Sequence, residues 1–431
     1  MQVQAQPADL VGRGVRESGV LIRQWFERLT QAQERGEPTA YVFVGGNLIE
    51  VLRAFDMPVA FPEVYSLQTA VRRVAHEYID VAEDWGCSPD ICGYVKADVG
   101  IQLRDGQHPM GRIPRPSLGV ASNFCNTFIK WAEIWERLYH TPVFVLDIPG
   151  ARGDPAAAGS RDTEADRRYL EQQIRELIAL CEEVTGRKFD IDKLREAMHH
   201  SNLMASSYRR ILELNRHVPA PFGALVEGTA YLGVANVLRG TPEGSAYFQR
   251  AVEELEYKVA NGIGTLPEEK YRLIFIGVPC YPIYRRFFGL FAQHGGVFVT
   301  SAYMRLASGG WCFDFRYDLD RPIESLADGL LRTNAAAMGE IFFLDEPAVE
   351  QAREYQVDGI VFHPIKSCRT FSAGMADARQ TVMQRADLMT LYIESDHMDR
   401  RVVSEAQLRN RVDAFFEGLA TRKLQAEGTA K

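Results

Sequence analysis

Positive charge is in deficit along this chain: 49 lysines and arginines face 57 aspartates and glutamates, a net charge of -8. Such a surface offers no basic field to a nucleic-acid backbone or an anionic bilayer, so neither is an expected partner. Long apolar runs are missing too, with none near the roughly 18 residues of a membrane span. Residues 1–10 have neither the basic n-region nor the apolar h-region of a secretory signal, which leads to the expectation of a cytoplasmic protein. Cysteine is sparse, seven in 431 residues at irregular spacings, which argues against a disulfide framework. No Cys-x-x-Cys pair occurs. The chain also lacks G-x-x-x-x-G-K-[ST], so it is not expected to hydrolyse nucleotide itself, and it lacks G-x-S-x-G and H-E-x-x-H, which leaves hydrolase and zincin chemistry without support.

What is present is ordinary globular composition, 46% hydrophobic and 25% charged, enough for two or three domains. Residues 11–34 set Val20, Leu21, Trp25, Phe26 and Leu29 at helical spacing, an amphipathic helix expected to pack on the first half. The run Thr39-Ala40-Tyr41-Val42-Phe43-Val44 predicts a buried strand ending in the turn Gly45-Gly46-Asn47. A helix over 48–55 and a strand at Met57-Pro58-Val59-Ala60-Phe61 complete a βαβ opening. The pattern is helical over 67–85, and residues 102–117 read as loop. A strand over 118–123, a helix over 127–139 and a strand over 142–149 follow, and then a Gly-, Ala- and Pro-rich loop over 150–160. Residues 163–256 are mostly helical, with Asp190-Ile191-Asp192 starting one helix and Cys181 on an apolar face. His199-His200 reads as a solvated face.

Strand signals return at Leu273-Ile274-Phe275-Ile276-Gly277, Gly296-Val297-Phe298-Val299-Thr300, Gly359-Ile360-Val361-Phe362 and residues 388–394. Their order repeats the first half. Residues 41–45 match 273–277, 120–125 match 361–368, and 143–147 match 389–394. The expected fold is therefore α/β, with two Rossmann-like parallel-sheet halves, a helical connecting segment and a cleft between the halves. The expected boundaries are 1–160, 161–265 and 266–431. On this repeat Cys125 and Cys368 follow equivalent strands and can face one another across the cleft, where open α/β sheets put their chemistry.

Three thiols, Cys92, Cys125 and Cys368, each follow a turn at the end of an element. Thiolates are soft ligands suited to iron–sulfur clusters or zinc, and spacing alone leaves simple packing open as well. Cys87 is a candidate fourth ligand from the turn that carries Cys92. Cys280 and Cys312 sit among aromatic residues and read as core or pocket-lining.

The segments Gly46-Asn47-Leu48-Ile49-Glu50, Asp90-Ile91-Cys92-Gly93-Tyr94-Val95-Lys96-Ala97-Asp98-Val99-Gly100 and Ile365-Lys366-Ser367-Cys368-Arg369-Thr370-Phe371-Ser372-Ala373-Gly374 resemble the benzoyl-CoA reductase and 2-hydroxyacyl-CoA dehydratase family. The stretches Phe189-Asp190-Ile191-Asp192-Lys193-Leu194-Arg195-Glu196 and Tyr392-Ile393-Glu394-Ser395-Asp396 extend the resemblance over nearly the whole chain. It is nearest to the larger cluster-bearing subunit, of B or O type, of the ATP-dependent benzoyl-CoA reductases.

The resemblance implies a 4Fe-4S cluster held by Cys92, Cys125 and Cys368, with the fourth iron left to an exogenous ligand or the substrate. It implies reduction of benzoyl-CoA to a cyclic dienoyl-CoA in anaerobic aromatic degradation. The implied partners are a homologous cluster-bearing subunit, ATP-hydrolysing electron-activating subunits and a ferredoxin upstream. The missing phosphate-binding loop fits that division of labour. His363 is the first candidate proton donor and Glu50 the second; the bland alternatives are a buried, hydrogen-bonded imidazole and a helix-orienting carboxylate. Lys96, Lys366 and Arg369 are candidates to meet the thioester or the CoA phosphates, or to balance an anionic cluster. Rival readings are a 2-hydroxyacyl-CoA dehydratase subunit acting through a ketyl radical, and a non-catalytic scaffold binding zinc.

Overall fold

The computed structural model describes residues 10–45, 48–149, 163–342 and 344–429. Residues Gly46 and Asn47 of the first glycine turn, and the loop expected over 150–160, lie outside the described residues. The strands are β1 (Ala40–Val42), β2 (Val59–Ala60), β3 (Gln107–His108), β4 (Gly111–Arg112), β5 (Leu118–Ser122), β6 (Val143–Leu146), β7 (Tyr271–Gly277), β8 (Gly296–Ser301), β9 (Gly359–His363) and β10 (Met389–Tyr392). They form two four-stranded parallel sheets, ordered β2-β1-β5-β6 and β8-β7-β9-β10, plus a small antiparallel ribbon of β3 and β4. In both sheets the first strand of the half is central, and the second and third flank it. The fourth is at the edge beside the third. The expected repeat is thus present strand for strand, with β5 equivalent to β9.

Both sheets read as apolar runs because helices cover their faces, as parallel sheets require. Every residue of β1, β5, β8 and β9 is buried. Between β6 and β7 the chain runs through the helices Thr163–Thr185, Ile191–Leu214, Val226–Val237 and Pro242–Ala260. The Asp190 carboxylate caps the second of these, accepting the Asp192 and Lys193 amides at 2.9 and 3.3 Å. Cys181 is in the core, fully buried.

One local expectation holds and two change. The helix Arg13–Arg35 does pack on the first sheet, where the Trp25 indole donates to the Val59 carbonyl at 2.9 Å. Its start is also anchored to the connecting helices, since the Gly12 and Gly14 amides both donate to the Glu254 carboxylate at 2.6 Å. The long helical pattern over 67–85 is two helices, Pro62–Val71 and Ala75–Trp85, interrupted where Arg73 takes a left-handed φ of 64°. The loop over 102–117 contains the end of the helix Gly93–Leu103 and the β3–β4 ribbon.

The halves meet closely at the end of β1. A Cβ on Gly309 would fall 2.0 Å from the Gly45 carbonyl oxygen, so only glycine fits there. Asn236 and Asn334, from the connecting helices and the second half, bind the Gly45 amide and carbonyl at 3.0 and 3.3 Å.

Candidate functional site

Each of Cys92, Cys125 and Cys368 is the residue immediately before a helix: Gly93–Leu103, Asn126–Tyr139 and Arg369–Ser372 respectively. Amides of a first helical turn have no intrahelical acceptor, and with the helix dipole they favour negative charge on a cap side chain. The three thiols line one cavity of about 100 Å³ between the sheets, walled by Tyr94, Phe124, Phe128, Trp131, Tyr303 and Phe371. Cys125 Sγ is 3.6 Å from Thr370 Oγ1 of the second half, and Cys92 Sγ is 3.8 Å from His397 Nε2. Burial pushes the Cys92 thiol well up, and the neighbouring Cys368 and Cys125 add to the shift. Burial, then Cys125, pushes Cys368 up to about 12. A positive metal centre among them is what would hold such thiols as thiolates.

Close packing builds this arrangement. Gly93 lets Met398 lie over the start of the Cys92 helix, where a Cβ would meet Met398 Cβ at 2.5 Å. Gly100 lets the same helix press on Ala75–Trp85, because its Cβ would fall 2.1 Å from the Tyr78 carbonyl oxygen. Among the described residues, no three His, Cys, Asp or Glu side chains converge closely enough to hold one metal ion. The three thiols line one cavity and are soft donors of the kind that iron–sulfur clusters and zinc take.

The other residues singled out from sequence divide. His363 is fully buried beneath the cavity, with Nδ1 2.8 Å from the Val278 carbonyl and Nε2 2.6 Å from Ser395 Oγ. Burial lowers its pKa to about 4, so the ring is neutral and both nitrogens are engaged. Glu50 is equally buried and lies outside the cavity lining, accepting Arg239 Nε at 2.9 Å and Ser201 Oγ at 2.7 Å. Lys96 is buried under the Cys92 turn, donating to the Pro89 carbonyl at 2.7 Å and to Glu83 at 3.0 Å. Lys366 is exposed beside a side cavity of about 150 Å³. Arg369 alone of the three cations faces the wide groove, about 740 Å³, that shares Cys92, Phe124, Thr127, Trp131 and Thr370 with the thiol cavity. Cys87 is half-buried and outside the lining of the thiol cavity.

Two lining residues were missed from sequence. Glu63, in the first turn of Pro62–Val71, faces the cavity and accepts the Val44 amide at 2.8 Å. No cation pairs with it among the described residues, and burial raises its pKa to about 8. A carboxyl so placed is protonated at neutral pH. The only signal available was an acidic residue directly after a strand and a proline, which reads as routine helix initiation. The second is His397, whose ring stands edge-on to Tyr94 at 4.3 Å and whose Nδ1 is 3.6 Å from Asp396.

Residues 49–419 match the model of the 2-hydroxyglutaryl-CoA dehydratase, D-component, family. The chain belongs to this family. Among relatives in it, the benzoyl-CoA reductase B-subunit of Thauera aromatica is 34% identical over 406 residues, covering 91% of each chain. The alpha subunit of (R)-phenyllactyl-CoA dehydratase of Clostridium sporogenes is 25% identical, covering 91% of this chain and 92% of the relative. The alpha subunit of (R)-2-hydroxyisocaproyl-CoA dehydratase of Clostridioides difficile is 26% identical, covering 94% and 95%. This chain is more identical to the reductase subunit than to either of these dehydratase subunits. None of the described helices is long and apolar enough to cross a membrane.

Proposed function

We propose that the chain is the iron–sulfur subunit of an ATP-dependent benzoyl-CoA reductase, cytoplasmic and working without oxygen. Its reaction would dearomatise benzoyl-CoA to a cyclic dienoyl-CoA. The observation that carries this is the ring of Cys92, Cys125 and Cys368, each preceding a helix, around one apolar and aromatic cavity. The 34% identity to a benzoyl-CoA reductase subunit supports the choice of substrate. On this reading residues 1–160 and 266–431 form the two walls of the site, and 161–265 connect them. The three cysteines would hold a 4Fe-4S cluster, leaving its fourth iron to an exogenous ligand or the substrate. When bound, such a cluster supplies strongly reducing electrons at an iron that can accept an outside ligand.

The chain's own residues set the conditions for that chemistry. Phe124, Phe128 and Trp131 exclude water, so charge appearing on an aromatic thioester is not dissipated into solvent and must be matched by a proton. Glu63 holds a proton at neutral pH and faces the cavity, so the proton-donor role passes to it from His363 and Glu50. Arg369 stands in the groove that opens onto the cavity, where it would meet the phosphates of an acyl-CoA. Lys96, held by Glu83 and Pro89, would balance charge beneath Cys92. The partners on this reading are a homologous cluster-bearing subunit, ATP-hydrolysing electron-activating subunits and a ferredoxin.

Anaerobic purification with the partner subunits tests the reading. Roughly four irons with matching acid-labile sulfide per chain are expected; zinc without sulfide would instead establish the scaffold. Benzoyl-CoA consumption by the activated complex supports the reductase. Loss of water from a 2-hydroxyacyl-CoA, the reaction class named for the dehydratase relatives, would overturn it in favour of the second reading.

A further inference from the structure

Asp98 is fully buried, and its carboxylate collects four hydrogen bonds. The Tyr65 hydroxyl and Gln102 Nε2, the latter at 2.9 Å, donate to Oδ1. The indoles of Trp131 and Trp135 donate to Oδ2 at 2.6 and 2.8 Å. These donors come from three helices: Pro62–Val71, which carries Glu63; Gly93–Leu103, which begins at Cys92; and Asn126–Tyr139, which begins at Cys125. One carboxylate therefore ties together the supports of two thiols and the buried acid.

The bonding favours the ionised form. Three of the four donors are N–H groups that cannot accept a hydrogen bond, and hydrogen bonds donated to a carboxylate stabilise its charge. Burial pushes the carboxyl above its usual range, and the four donors oppose that shift. No cation pairs with Asp98 among the described residues. Trp131 is both its donor and a wall of the thiol cavity, so a single indole separates this negative charge from the cavity.

We propose that Asp98 is a positioning residue for the thiol cavity whose uncompensated buried charge keeps the reduction potential of a cluster bound there low. The inference rests on the cluster reading above. Net charge and burial near an iron–sulfur centre are among the main settings of its potential, and a nearby anion disfavours adding an electron. A purely structural carboxylate would hold the helices without moving the potential.

The test is an EPR-monitored redox titration of the anaerobically purified complex, with iron and sulfide measured on the same samples. Asp98→Asn is close in shape but neutral, whereas Trp135→Phe removes one of the same hydrogen bonds and leaves the charge. The expected result is a midpoint shifted to more positive potential in Asp98→Asn and unshifted in Trp135→Phe. Where Asp98→Asn fails to fold or to keep iron, Gln102→Lys reads the same effect by setting an ammonium beside the intact carboxylate, and its midpoint should also move positive. Cluster-loaded wild type and neutralised variant with equal midpoints would overturn the role of Asp98 alone. An iron-free wild type would overturn the cluster reading and this role with it.

Discussion

The Cys125 thiol lies 3.6 Å from the Thr370 hydroxyl, although 245 residues of chain separate them. Thr370 is two residues past Cys368, so the contact joins the turns that follow β5 and β9, the third strands of two sheets with one strand order. Each half brings its thiol out at the same topological point. The cavity between them exists only when both halves are folded and docked, which makes a ligand bound there a clamp on the whole chain.

That dependence can be read from single substitutions. Cys368→Ala should abolish the cluster, and Cys125→Ser should weaken or abolish it, while Cys280→Ser, outside the cavity, should keep full iron content. Iron, sulfide and the visible absorption of anaerobic protein report all three. A full cluster signal in Cys368→Ala would refute its assignment as a ligand.

Glu63 gives the activity a pH signature. Its folded pKa of about 8 lies above the ordinary carboxyl value of 4.5. The acid form is therefore present at neutral pH, and turnover should fall as pH rises through about 8. The same shift stabilises the fold fully below pH 4.5 and is lost as pH climbs through 8. Glu63→Gln keeps an acceptor for the Val44 amide but cannot give up a proton, so kcat should drop roughly 100- to 10,000-fold with cluster content intact. An unchanged pH profile in that variant would remove Glu63 from the reaction.

Much of this was legible in the sequence. Apolar strands covered on both faces announce themselves as short β-branched runs, and the repeat of those runs located β5 opposite β9 and Cys125 opposite Cys368. The helix Gly93–Leu103 was not legible, because Gly93 through Gln102 are all buried and the helix has no polar face to generate a period. Side-chain roles were least legible of all. Glu50, Glu63 and Asp98 are three buried carboxylates, yet one faces Arg239, one faces no cation and one faces four donors. Apart from Gln102, one helical turn from Asp98, those partners come from other elements, so local pattern alone does not encode the difference.

His363 should act on stability rather than on catalysis. Its pKa of about 4 lies below the ordinary 6.5, so the unfolded chain takes up the proton first on acidification. The stabilisation is complete above pH 6.5, declines as pH falls, and is lost by about pH 4. The gap corresponds to about 3 kcal/mol. Urea melts of the apo chain between pH 7 and 4 should lose part of this slope in His363→Gln. A variant with the wild-type slope would show that the acid sensitivity arises elsewhere.

Glu50 offers the sharpest separation of a structural carboxylate from a catalytic one. Its partner Arg239 is also buried, stacks over Trp311 with its guanidinium carbon 4.6 Å from the ring centroid, and donates to the Ser308 carbonyl at 3.2 Å. Glu50→Ala would leave that guanidinium in the interior without its anion, at a cost of about 3–5 kcal/mol. Glu50→Gln keeps an oxygen for Arg239 Nε and Ser201 Oγ and should cost less. Thermal melts of both variants check the order, and turnover checks the role: Glu50→Gln should retain a wild-type pH profile. A lost acidic or basic limb in that profile would return Glu50 to the reaction and displace Glu63 as the proton donor.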